Sequence, residues 1–244
     1  MPPDSRDELL RQALVAHGLR LRGSWAITPA DGLPLLPDGS VPDRVWMVGV
    51  VGSAFWPHFT NSPFYRDGLP HPLDRWSRSL GERLAKEFGG LALYPFEGPP
   101  YHPFQRWADR AEATQPSAMM LRIHPDYGLW HAYRFALALP ATVQPAAPLP
   151  VDAAASAHSG AARNTTDLCA RCSGQPCLQA CPVQAYTGSA FRLQACADHL
   201  HSGQGQDCMQ GGCLARRACP VGAAHRYTPE HAAFHMQAFF ASHS

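Results

Sequence analysis

Leu9, Leu10, Ala13 and Leu14 recur at helical spacing between a Ser5/Glu8 capping box and Gly18, which predicts a short amphipathic helix at the start of the chain. Leu19 to Ile27 alternates well enough for a strand, and Arg44 to Val51 (RVWMVGVV) is a near-continuous apolar run that reads as a buried strand ended by Gly52. A second helix begins near Pro72, with Leu73, Trp76, Leu80 and Leu84 on one face and Gly89-Gly90 as its stop. Leu91 to Tyr94 is a candidate strand. Ala118 to Leu139 reads as a hairpin turning at Pro125-Asp126-Tyr127-Gly128. Its second strand puts Leu129, His131, Tyr133, Phe135 and Leu137 on one side, and Trp130, Ala132, Arg134, Ala136 and Ala138 on the other. From Ala141 to about Ala162 the pattern fades into Ala, Pro and Ser, and a last helix starts at Pro229 with His231, Phe234, His235, Phe239 and Phe240. The expected layout is an α+β domain over 1–140, a linker over 141–163, a cysteine module over 164–228 and a C-terminal helix over 229–244.

Length fits that layout, since 244 residues exceed the ~100–150 typical of one domain. The formal charge of +1 leaves no electrostatic footprint for nucleic acid or an anionic membrane. No apolar run approaches the ~20 residues that span a bilayer. The opening MPPDSRDELL has no apolar leader core, so a cytoplasmic location is expected. Lys86 is the single lysine, which removes a phosphate-loop lysine and argues against Schiff-base chemistry.

The chemistry is concentrated in the cysteines. The first 168 residues have none, and eight follow between Cys169 and Cys219. Cys169, Cys172, Cys177 and Cys181 form CxxCxxxxCxxxCP; Cys196, Cys208, Cys213 and Cys219 follow, and Cys219 also precedes a proline. In bacterial runs of this kind the first three thiolates hold one [4Fe-4S] cluster and the cysteine before proline ligates the other. The segment from Cys177 through Cys181-Pro182-Val183 echoes that from Cys213 through Cys219-Pro220-Val221, an internal pseudo-repeat. Crossover would assign Cys169, Cys172, Cys177 and Cys219 to one cluster, and Cys181, Cys196, Cys208 and Cys213 to a second. The competing readings are a disulfide framework, structural zinc on paired CxxC sets, and for the isolated Cys196 a plain buried thiol.

Two resemblances extend this. Ile123-His124-Pro125 through Gly128-Leu129-Trp130-His131-Ala132-Tyr133-Arg134 to Leu139-Pro140 resembles the IHPxxGxWxAxR…LP segment of the cobalamin-processing proteins of the methylmalonic aciduria type C class, and His71-Pro72-Leu73-Asp74 is similar to their DPVD helix start. The cysteine set, including the lone Cys196, resembles the module of epoxyqueuosine reductase and reductive dehalogenases, although the gaps before Cys177, Cys213 and Cys219 are longer here. Together they imply a nitroreductase-like cobalamin-processing domain followed by a small two-cluster ferredoxin-like domain that feeds it electrons. The first family draws on glutathione, and Arg134 resembles its arginine for that tripeptide.

His124, Trp130, Tyr133 and Arg134 are accordingly the candidate cofactor-binding residues, each with a structural alternative. His124 can cap its turn, Trp130 and Tyr133 can be packing, and Arg134 can be salt-bridged rather than an anion clamp. No catalytic acid or base can be placed by motif. Expected cofactors are two [4Fe-4S] clusters, with cobalamin or, less favoured, flavin on the first domain. A redox partner protein and a small-molecule corrinoid or substrate are the expected partners. An electron-transfer adaptor with no second cofactor is the alternative from another class.

Overall fold

The apolar run at 44–51 becomes an inner strand of a four-stranded sheet, and its bounds follow from burial on both faces. In the computed structural model, which describes residues 6–143 and 167–243, the chain opens with α1 (Arg6–Val15), β1 (Arg20–Ala26) and β2 (Arg44–Val51). The short helices α2 (Trp56–Thr60) and α3 (Pro63–Arg66) follow, then α4 (Pro72–Phe88), β3 (Leu91–Leu93) and α5 (Phe104–Ala111). Next come β4 (Gln115–Pro116), β5 (Arg122–Ile123) and β6 (His131–Leu139). The cysteine segment adds α6 (Pro176–Gln179), α7 (Leu193–His201), α8 (Gln206–Gly211), α9 (Leu214–Ala218) and α10 (Pro229–Ala241). Ser5 of the expected capping box, residues 144–163 of the expected linker and the first three residues of the expected cysteine module lie outside the described residues.

The architecture is a mixture of helix and sheet, and it divides into two units. One groups Met1–Glu112 with Ala132–Ala161, the other Ala113–His131 with Ala162–Ser244. Along the chain this division differs from a boundary at 141–163, because residues 113–131 go with the cysteines. The reason is burial: Met119, Ile123 and Leu129 share a core with Cys177, Cys181 and Cys219.

In the first unit the sheet order is β1-β2-β6-β3. The β1–β2 and β3–β6 pairs are antiparallel, and the register of β1 shifts between Leu21 and Ser24. Gly23 lies in that shift at φ +88, where a Cβ would meet the Ala111 carbonyl at 2.2 Å. Inner position explains why Val45–Val51 and Phe135–Leu139 are buried without alternation. Trp25, Val45, Met47, Leu93, Ala136 and Ala138 form one packed face with Phe104 and Trp107 of α5. Helix α4 packs along β3, its stripe of Leu73, Trp76, Leu80 and Leu84 buried and its end fixed by Gly89 at φ +72.

The expected hairpin over 118–139 is not formed. Strand β5 pairs with β4, Gln115 opposite Ile123, while β6 joins the large sheet. The turn itself is present: His124 and Gly128 exchange backbone hydrogen bonds of 2.9 Å in both directions. A nine-residue apolar strand buries more surface between two strands than against a short edge, so the sheet claims it. Its expected alternation also slips. Tyr133 packs with Ala136 and Ala138, whereas Arg134 bonds to α4, so one residue interrupts the two-residue period.

Candidate functional site

The pseudo-repeat in the sequence is a repeat of conformation. Each half has a short helix ahead of its Cys-Pro turn, α6 carrying Cys177 and ending before Cys181, and α9 running between Cys213 and Cys219, and the two helices pack together. Each then runs through Cys-Pro-Val into a left-handed residue, Gln184 at φ +49 and Gly222 at φ +67. Proline withdraws a donor and fixes φ, which turns the chain away after each cysteine.

These turns put thiols into an apolar interior. Cys177, Cys181 and Cys219 are buried in a core with Met119, Ile123, Leu129, Ala185 and Ala215; Cys196, Cys213, Tyr186, Phe191 and Val221 pack around it. All eight cysteines are unpaired thiols. Burial pushes the Cys177, Cys208, Cys213 and Cys219 thiols above the ordinary range, and Cys196 up to about 11.

The neighbouring thiols that add to these shifts sort the cysteines into two sets. Cys177 is raised further by Cys219, Cys169 and Cys172, and Cys219 by Cys169 and Cys172. Cys196 is raised by Cys213, Cys181 and Cys208, and Cys213 by Cys208 and Cys181. One set is therefore Cys169, Cys172, Cys177 and Cys219; the other is Cys181, Cys196, Cys208 and Cys213. All four of the second set line one small, largely enclosed cavity with Tyr186, His199, Leu200 and Met236. Backbone donors also reach the sulfurs, the Ala185 N–H standing 3.3 Å from Cys181 Sγ.

Among the described residues, no group of three or more His, Cys, Asp or Glu side chains is placed to hold a metal ion. That geometry concerns a single ion with metal–sulfur bonds of about 2.3 Å; a four-iron cubane separates its thiolates more widely. Four thiols in an apolar setting are a donor set that a cationic iron–sulfur core complements.

The four remaining candidate residues are divided between the units. His124 accepts the N–H groups of Asp126 and Tyr127 on Nδ1 at 3.1 and 3.3 Å, capping its own turn, and stacks on Tyr127. Trp130 packs edge-on against Tyr227, and the Arg216 guanidinium lies over both rings at 4.8 and 4.4 Å while its Nε donates to the Leu129 carbonyl at 3.1 Å. In the first unit Tyr133 donates to Glu112 at 2.7 Å, and Arg134 donates to Asp74 at 2.8 Å and Ser77 Oγ at 3.0 Å. The Arg216 column and His199 were not singled out in the sequence. For His199 the signal was its place one helical turn after Cys196.

No family model and no curated protein matches the chain. A solved structure described as a selenomethionine-labeled epoxyqueuosine reductase is similar at 14% identity and a TM-score of 0.44, over 93% of this chain and 68% of that one. Neither the fold nor the chemistry described for this chain rests on that likeness. Among the described residues, no helix is long and apolar enough to cross a membrane.

Proposed function

We propose that this chain is an iron–sulfur redox protein, with one [4Fe-4S] cluster held by Cys169, Cys172, Cys177 and Cys219 and a second by Cys181, Cys196, Cys208 and Cys213. The observation that carries the reading is the sorting of eight thiols, four of them buried and four half-buried, into two sets of four, each set crossing between the halves of the pseudo-repeat. The clusters would supply one-electron chemistry at low potential. The chain's own contribution is to bury the ligands, exclude water and aim N–H donors such as that of Ala185 at the sulfurs.

The finer reading is a nitroreductase-like first unit that holds a corrinoid, or a flavin, and passes electrons onward to a substrate, beside a ferredoxin-like second unit. Its support is the sequence resemblance around Ile123 to Pro140. Of the expected contacts, Arg134 and Tyr133 lie on that unit, and each already has a partner within it. The second reading, an adaptor that hands electrons to a partner enzyme, is favoured by those same contacts.

Anaerobically purified protein should contain about eight irons and eight acid-labile sulfides per chain, as two cubanes require. Cys219→Ser should damage the cluster shared with Cys169, Cys172 and Cys177 and spare the other, read by the loss of one of two EPR signals on reduction. One or two zinc ions and no sulfide would refute the reading. Cob(II)alamin and flavin titrations of the same material separate the finer readings: a perturbed spectrum supports a cofactor on the first unit, and no binding supports the adaptor.

A further inference from the structure

His199 is buried, 9% exposed, and its Nε2 has no hydrogen-bond partner among the described residues. It lies on α7 three residues after Cys196, so both side chains leave the same helical face. Both line the cavity that also receives Cys181, Cys208 and Cys213, whose other walls are mainly Pro182, Val183, Leu200 and Met236. A buried ring nitrogen without a partner is costly, and native interiors rarely leave one so. Besides Tyr186, the groups lining this cavity that could complement it are the sulfurs of Cys181, Cys196, Cys208 and Cys213.

We infer that His199 is a positioning residue for the second cluster: its Nε2–H donates a hydrogen bond to a sulfur of the cluster held by Cys181, Cys196, Cys208 and Cys213, and so raises that cluster's reduction potential. The inference rests on the cluster reading. Its physical basis is that an electron added to the cluster increases negative charge on the sulfurs, and a donor aimed at them stabilises the reduced form. The electron stays on the cluster and the proton on the imidazole, so nothing else is consumed.

The test compares His199→Leu, which keeps apolar bulk and removes the donor, with His199→Gln, whose amide keeps one. Both are assayed first for iron and sulfide, then by redox titration followed by EPR. With both clusters present, His199→Leu should shift the potential of one cluster downward. At a fixed applied potential its reduced-to-oxidised ratio should fall about tenfold, which is 59 mV for a one-electron couple. The other cluster should not move, and His199→Gln should restore most of the shift. Pulsed EPR of protein carrying 15N-histidine should show a weak nitrogen coupling on the shifted cluster, lost in His199→Leu. Unchanged potentials with full iron content would overturn the inference, as would a strong coupling typical of a nitrogen bound to iron, or loss of four irons in both variants. Wild-type protein lacking iron and sulfide would instead remove the cluster reading on which it stands.

Discussion

Arg22 shows how a single buried charge constrains the first unit. Its side chain is 2% exposed, it pairs with Glu112 at 2.9 Å, and it donates to the Val50 carbonyl at 3.1 Å. Tyr133 donates to the same carboxylate at 2.7 Å, and the guanidinium lies 5.2 Å from that ring. Removing the anion strands a cation in the interior, so Glu112→Ala should destabilise the unit by about 3–5 kcal/mol. Tyr133→Phe deletes one hydrogen bond and should cost about 1 kcal/mol. Urea unfolding read by hydrogen exchange at the β2 amides measures both. Equal, small effects would show that Arg22 finds another partner. Arg134 differs in kind, because its partners Asp74 and Ser77 sit one turn apart on α4 and fasten strand to helix.

At the scale of elements, the turn at 124–128 and the loop after Cys219 touch backbone to backbone. A Cβ on Gly128, at φ +58, would stand 1.9 Å from the Val221 carbonyl oxygen, and one on Gly222 would stand 2.2 Å from the Tyr127 carbonyl carbon. Gly128→Ala adds this clash to a left-handed conformation that alone costs an ordinary residue about 1–3 kcal/mol. The expected result is a protein with less iron in the cluster proposed on Cys219, with the second proposed cluster and the first-unit sheet retained. Iron analysis and EPR decide it, and a variant with full, wild-type signals would show that the contact is dispensable.

For the whole molecule, Cys177, Cys181 and Cys219 are themselves core residues and Cys196 and Cys213 pack against that core, so the second unit's interior and its proposed ligand sets overlap. Its aliphatic complement is small, mainly Met119, Ile123 and Leu129, while the first unit packs Trp25, Met47, Phe104 and Trp107 around a sheet. Cluster binding should therefore supply most of the second unit's folding free energy. Anaerobic chelation should expose amides over 167–228 and in β4–β5 to hydrogen exchange while those of β2 and β6 stay protected. Uniform protection before and after chelation would show that the apo unit folds unaided.

Much of the chain was legible from local pattern. Arg44–Val51 and the Pro72 helix with its Gly89 stop were fixed by hydrophobic period and by residues with restricted φ, which act within a few positions. The eight cysteines and the two Cys-Pro turns were equally local. What sequence could not decide was partnership at a distance. The run from 118 to 139 carries a genuine turn, yet its second half pairs with β2 and β3 because an apolar strand gains more by burial on both faces than by closing a short hairpin. Likewise 113–131 joined the cysteines through Met119, Ile123 and Leu129, and Arg216 came to lie on Trp130 across more than eighty residues of chain. Only the tertiary structure placed His199 beside four thiols, since a helix shows which residues share a face and not what that face will meet.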